Sequence, residues 1–479
     1  MIKLYRQFDL FFQLLFLLVL SAILVYYTPA SINRIIFLLF FIPVWYSKKD
    51  FFWFAFVLIL IEAPGGLFSG GLVGDQYRLP IYNLFPKVSF SFQEVYLVII
   101  LLKGIIKKQG FSYRSFTYRN QYSVLGILLV SLLIVSLLLG ISLSSMRNVY
   151  KTMISISLYI STLFVFKNEE DIINFFKTIF PFAFLAIILQ LYGMLNQQQL
   201  VAVFNPLIST PQGVLTGDEM RPIELAVVVL FCFFGSLLYL GDKRKTFSDK
   251  YLLFVNIISY ISILLTATRS WFLGFTIIYL FYFYLNLKGL GNKVTSFVTA
   301  IGFFLIIIFM IPQIRNQINV ASKRLLTIEQ LASGDQTAGG TLNRITVRGP
   351  RVMDGFKNST IILGAGFSDL YYEYTDGHVG FQNILLNSGV IGFVVLFSFA
   401  TTLFFTPLRI LKKLNYRSDL SHILRNTPLL VPAVLTINSG TQFWGFGVGE
   451  MQRVMLLAFY ISVSNIYIKA CKNQSYALE

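Results

Sequence analysis

"YSVLGILLVSLLIVSLLLGISL", residues 122–143, contains no charged side chain. At 1.5 Å per residue a helix of this length rises about 30 Å, the thickness of a bilayer's hydrocarbon core. Its apolar residues follow one another without the period-two alternation of a barrel strand. Only helices and closed barrels satisfy every backbone N–H and C=O in lipid, so the stretch reads as a membrane-crossing helix. Similar runs lie near 8–27, 32–46, 51–62, 90–106, 151–166, 176–195, 223–241, 251–267, 270–285, 294–312, 381–408, 427–437 and 452–468. The runs at 51–62 and 427–437 are short, and Pro428 and Pro432 interrupt the second. Both are kept because the charge pattern requires an even number of crossings between their neighbours.

The expectation is an all-α, polytopic transmembrane helical bundle of 12–14 spans. Composition agrees: 56% of the 479 residues are hydrophobic and 13% are charged, against about 25% charged in soluble domains. Three regions follow: helices with short loops over 1–312, an outer loop over 313–380, and C-terminal helices with a tail over 381–479. The run from Phe8 to Tyr27 lacks a small-residue cleavage site and reads as an uncleaved first span. Cys232 and Cys471 lie far apart in this topology, which suggests neither a disulfide nor a metal site.

The formal charge of +17 is explained by its distribution rather than by nucleic acid. Lys48, Lys49, the group from Lys103 to Arg119, "DKRK" at 242–245, Lys288, Lys293, the group from Arg409 to Arg425, Lys469 and Lys472 all fall on one side of the alternating loops. The positive-inside rule makes that side cytoplasmic and places both termini there. Segments 63–89, 196–222 and 313–380 then lie outside. The last carries seven basic residues, against the rule, so something other than topology retains them.

Four constellations could carry chemistry. Arg344, Arg348, Arg351 and Lys357 crowd one stretch of the outer loop. A guanidinium fork matches phosphate oxygens, although the same groups could meet lipid headgroups or pair with Asp354, Asp369 and Asp376. In "LLTATRSWFLGF", 264–275, Arg269 sits at an outer turn between two apolar runs. That placement costs several kcal/mol unless it faces water or a partner; the bland alternative is a snorkelling anchor. Arg221 precedes Pro222, a residue suited to a first helical position whose free amides favour anions; Asp218, Glu219 and Glu224 could equally neutralise it. His378, one of two histidines, ends the longest outer loop two residues after Asp376. An imidazole there could orient a hydroxyl or take its proton, or be held structurally. Gly389 and Gly392 fall three residues apart, on one face of a helix that they would let pack closely.

Other sites are missing from the sequence. It has no P-loop, no Asp-x-Asp pair to hold a divalent metal on a diphosphate, no clustered intramembrane carboxylates and no inverted broken-helix repeats. A diphosphate would have to be handled by arginines, with no metal and no cofactor.

His378 followed by one residue, nine more, and Gly389-x-x-Gly392 resembles the signature of the O-antigen ligase and O-antigen polymerase superfamily. "NRITVRGPRVMDGFKNSTIILGAG", 343–366, is similar to the family's arginine, amphipathic helix and glycine-bearing segment. "LLTATRSW" is similar to its outer turn, with Thr268 where serine is usual, and "MRPIELAVV" is a looser match to its first outer arginine. The resemblance covers roughly 215–400. It implies an inner-membrane glycosyltransferase of the GT-C type, with a sizeable helical periplasmic loop and a site facing the periplasm. The donor implied is an undecaprenyl-diphosphate-linked oligosaccharide. Arg221, Arg269 and Arg344 would bind the diphosphate, Arg348, Arg351 and Asp376 would support, and His378 would be catalytic, with inversion at the anomeric carbon. Ligases usually carry Asn, Ser or Gln directly after the histidine, where Val379 stands here. The expectation is therefore a repeat-unit polymerase with a glycan acceptor, accompanied by a chain-length regulator protein. The alternatives are a ligase acting on lipid A core or protein, and a lipid-linked sugar flippase. A flippase would spread its charges through a central cavity rather than gather them at the outer face.

Overall fold

The computed structural model describes residues 2–60, 92–107, 116–143, 145–146, 149, 161–196, 225–266, 269–286, 315, 344–376, 379–414, 419–432 and 451–476. Among the described residues all regular structure is helical, and the only ladder contact is an isolated bridge between Thr360 and Gly364. The chain is all-α. Arg119–Leu139, Glu169–Asn196 and Gly380–Lys413 are helices long and apolar enough to cross a membrane. Shorter apolar helical stretches occupy Asp9–Ser21, Ile35–Tyr46, Asp50–Leu60, Val95–Ile106, Ala226–Tyr239 and Leu273–Leu285.

Local chemistry explains several boundaries. The run 122–143 stops being helix at Leu139, because Gly140 turns the chain with φ 95°, a value glycine adopts without a steric penalty. The run 32–46 is two helices, Ala30–Leu39 and Phe41–Tyr46. Pro43 lacks an N–H, and its ring would meet the carbonyl four residues back, at Leu39. Of the expected spans, 294–312 and most of 151–166 lie outside the described residues.

The chain forms two compact units, Met1–Lys107 with Phe164–Lys323, and Lys108–Leu163 with Arg324–Glu479. In the first, Glu169–Asn196 is the hub against which Ile2–Tyr27, Asp50–Leu60, Ala226–Tyr239 and Asp249–Leu265 pack. Every residue from Val227 to Tyr239 is buried, which suits a helix apolar on all sides. Gly235 lets the hub approach: a Cβ there would lie 2.1 Å from the Phe176 ring. Asn256 ties three helices by donating to the Ser236 hydroxyl at 2.8 Å and accepting from the Tyr279 hydroxyl.

At one end of this unit the basic loops meet. Lys103 Nζ donates to the carbonyls of Val44 (2.9 Å) and Ser47 (2.6 Å) and to the Asp50 carboxylate. Lys167 bridges the other Asp50 oxygen at 2.9 Å, Lys107 reaches the Trp45 carbonyl at 2.7 Å, and Arg244 pairs with Glu169. Lys103 and Asp50 are each 2% exposed. Removing one member of such a pair leaves an uncompensated buried charge, at a cost of about 3–5 kcal/mol. Asp50→Ala is therefore expected to lower the thermal stability of the detergent-solubilised protein sharply. Asp50→Leu combined with Lys103→Met should recover most of the loss. A single variant as stable as the double would show that the pair holds nothing in place.

In the second unit, Gly380–Lys413 packs on Arg119–Leu139, Gly349–Lys357, Ser421–Asn426 and Met451–Tyr476. Asn465 accepts from the Thr117 amide (3.1 Å) and hydroxyl (2.9 Å), and Tyr118 bonds Ser464 at 2.6 Å. These polar side chains tie the last helix to the start of Arg119–Leu139.

Candidate functional site

The segment from Arg344 to Asp376 begins with a π-helical turn, Arg344–Arg348, that runs into the helix Gly349–Lys357. Such turns recur at functional sites. Val352 and Gly355 face inward, and Gly355 admits the short helix Asp369–Tyr374, since a Cβ there would lie 2.5 Å from Tyr374. Val352, Ala365, Tyr371, Val379 and Leu386 form a small core under these helices, with Phe356, Leu370, Tyr372 and Tyr374 around it.

Beneath that core the Gly380–Lys413 helix is broken. Gly389 has φ 62° and ψ −167°, a region essentially restricted to glycine. In an unbroken helix Leu386 O and Asn387 O would accept from Val390 N and Ile391 N. Here the loop 361–366 takes both pairs of partners. Ala365 N and Gly366 N donate to Leu386 O (2.7 Å) and Asn387 O (2.8 Å), while Val390 N and Ile391 N donate to Ile361 O (3.0 Å) and Ile362 O (3.1 Å). The loop is spliced into the helix's own ladder, so the break leaves none of these four helix groups unpaired. Asn387 Nδ2 adds a bond to Gly366 O at 2.5 Å, and Phe367 N donates to Ser136 Oγ at 2.6 Å. No Cβ fits at Gly364 or Gly366, which meet the Leu386 and Leu132 carbonyls at 2.6 and 2.5 Å. The expectation that Gly389 and Gly392 share a helical face is corrected: Gly389 interrupts the helix, because the inserted loop needs the bonds that a continuous helix would keep.

Two sets of bonds hold the loop's outer half. Asp369 accepts on one carboxylate oxygen from Ser142 N (3.1 Å), Ser142 Oγ (2.7 Å) and Ser145 Oγ (2.5 Å), and its own amide donates to Gly140 O at 3.2 Å. The Ser145 hydroxyl first, then the Ser142 hydroxyl and amide, hold the Asp369 carboxyl below the usual carboxylate range. A depressed folded-state value means that the stabilisation is complete above the unfolded value of about 3.9 and fades as pH falls through the lower, folded value. The melting-temperature difference between wild type and Asp369→Ala should therefore be full at pH 6–7 and shrink below about pH 4. A difference unchanged down to pH 2.5 would remove the carboxylate from this clamp.

The second set fixes residues 373–376. Arg351 Nη2 donates to Glu373 O at 2.6 Å, and Arg348 Nη1 lies 3.6 Å from Asp376 Oδ1. Asn383, fully buried, accepts from Asp376 N (3.1 Å) and Thr375 Oγ1 (3.2 Å) and donates to Asp376 O. Val379 N donates to the same carbonyl at 3.1 Å.

Of the residues singled out by sequence, Arg348, Arg351 and Asp376 come together here as tethers of this segment. Arg344 lies in the π turn and Arg269 opens the helix Arg269–Leu285; only their backbones are described. Arg221 and His378 lie outside the described residues. Four residues after Arg221, buried Leu225 takes a left-handed φ of 55° before Ala226–Tyr239, a conformation costing about 1–2 kcal/mol outside glycine. Sequence reasoning missed Asn383, Asn387 and Ser136, since a buried asparagine or serine in an apolar run carries no spacing signal. Val379, which stands where ligases carry a polar residue, packs into the small core.

A scan against protein-family models finds no match, and a search of curated proteins finds none either.

Proposed function

We propose that this chain is a multi-pass membrane glycosyltransferase of the GT-C type that polymerises repeat units of an undecaprenyl-diphosphate-linked glycan. Its site would face the periplasm of a bacterial inner membrane, with both termini cytoplasmic. One observation carries the reading. The two stretches that bear the resemblance, "IILGAG" at 361–366 and "LNSGVIG" at 386–392, are interlocked by four backbone hydrogen bonds. The residues leading up to His378 are tethered above that lock. This is a reason for both glycine motifs to occur in one sequence at these distances.

In this reading the acceptor hydroxyl attacks the anomeric carbon as the bond to the lipid diphosphate breaks, inverting the centre. His378 orients the hydroxyl and takes its proton. Arg221, Arg269 and Arg344 face the departing diphosphate and stabilise its growing charge. The defining experiment incubates purified protein with a lipid-linked repeat unit alone, in excess chelator. A ladder of products supports the polymerase. Transfer only when lipid A core is added would identify a ligase, and movement of the lipid-linked unit across the bilayer without new glycosidic bonds would identify a flippase.

Arg269 supplies a sharper prediction. Lysine keeps the charge but loses the planar fork. Losing one charge-assisted bond, about 1.5–3 kcal/mol, should slow transfer by Arg269→Lys roughly ten- to a hundredfold at matched protein level. A headgroup anchor would tolerate lysine. A wild-type rate would move the bidentate contact to Arg221 or Arg344.

A further inference from the structure

We infer that Asn383 is a positioning residue for transfer, a buried amide that holds the backbone of Asp376, two residues before His378; this rests on the reading of His378 as the group that handles the acceptor. Asn383 is 0% exposed, yet its side chain bonds Thr375 and Asp376, ahead of the helix, rather than its own helix. Its carbonyl oxygen accepts from the Asp376 amide at 3.1 Å and the Thr375 hydroxyl at 3.2 Å, while its amide donates to the Asp376 carbonyl. An amide is the one small side chain that offers an acceptor and a donor side by side. It therefore clamps both backbone groups of a single residue.

The clamp sits at a telling place. Asp376 is two residues before His378, and Val379, directly after it, donates to the Asp376 carbonyl at 3.1 Å and is buried in the small core. Asn383 itself is tied to Val379, whose carbonyl accepts from the Asn383 amide at 3.3 Å. Before Gly377–His378 the Asn383 side chain holds Thr375 and Asp376, and after them the Asn383 backbone amide holds Val379, which also bonds the clamped Asp376 carbonyl. Arg348 on the Asp376 carboxylate (3.6 Å) and Arg351 on the Glu373 carbonyl (2.6 Å) brace the same segment from the exposed side. An apolar side chain would satisfy the packing of a merely structural position. Only a need to hold Asp376 by both its N–H and C=O calls for asparagine there.

Asn383→Asp and Asn383→Ser separate positioning from packing. Aspartate keeps the acceptor but, ionised, cannot donate to the Asp376 carbonyl; once protonated, its hydroxyl can. The charged groups facing it are Asp376 and, through it, Arg348. Relative to wild type at the same pH, which divides out the titration of His378 itself, transfer kcat of Asn383→Asp should be roughly tenfold or more lower at pH 8, with KM for the lipid-linked donor within about threefold, and the ratio should rise towards one as pH drops towards 5. Asn383→Ser, which has no comparable group to protonate, should stay slow across the same range. Thermal melting of each variant is followed in parallel. Wild-type kcat in folded Asn383→Ser would overturn the proposal, as would an Asn383→Asp loss that tracks melting temperature and ignores pH. His378→Ala is the control for the underlying reading. If it transfers normally, both ideas fall; if it is inactive while Asn383→Ser is normal, only the role of Asn383 does.

Discussion

Gly389→Ala is expected to unfold the second compact unit or leave it barely stable. At φ 62° and ψ −167° an alanine is strained by about 1–3 kcal/mol on conformation alone. Its Cβ would also lie 2.3 Å from the Ile362 carbonyl oxygen and 2.6 Å from the Gly364 amide nitrogen. Both obstacles are backbone, and both belong to the inserted loop. Relieving them means withdrawing the loop, which breaks the bonds to Ile361 O and Ile362 O at about 1 kcal/mol each. The sum, roughly 3–5 kcal/mol, is comparable to the whole stability of many domains. Gly392→Ala meets a different obstacle, the Ser388 side chain, with Cβ at 2.1 Å and Oγ at 2.2 Å. Ser388→Gly should rescue Gly392→Ala and should not rescue Gly389→Ala. Gly126, with nothing within 4 Å of its built Cβ, is the neutral control. Thermal melting in one detergent ranks the three single glycine variants and the two combinations with Ser388→Gly. Gly389→Ala melting alongside Gly126→Ala would mean that the break is not needed.

His378→Ala should abolish transfer without touching expression, membrane insertion or melting. A positioned general base contributes about a hundred- to ten-thousandfold to a rate, so the residual activity should sit near the detection limit of a ladder assay. The spacing of His378 to Gly389 and Gly392, and the tethering of Thr375 and Asp376 by Asn383, motivate the expectation. Comparing initial rates at matched, monodisperse protein isolates the chemical effect. Transfer at the wild-type rate would take His378 out of the mechanism and leave the arginines to be explained without it.

Much was legible in the chain itself. An apolar run such as 122–143 has one way to satisfy its backbone in lipid, so helix follows from composition and length, and Arg119–Leu139 occupies that run. The breaks at Pro43 and Gly140 inside the runs 32–46 and 122–143 were not read from the apolar pattern, which counts composition and passes over single residues that end a helix. The arginine cluster announced itself by charge. What those arginines do was a matter of distance in space: Arg348 forms an ion pair with Asp376, and Arg351 donates to the Glu373 carbonyl. Only the tertiary structure could decide that, and the same holds for the helix break. Glycines three apart read as a packing face from spacing, since the loop that steals the helix's hydrogen bonds lies more than twenty residues earlier. A buried asparagine such as Asn383 gives no periodic signal at all, because its partners are backbone groups that every residue possesses. Secondary structure was local and therefore readable; the lock and the clamp are pairings of backbone with distant backbone or amide, and nothing in side-chain identity marks which carbonyl an N–H will find.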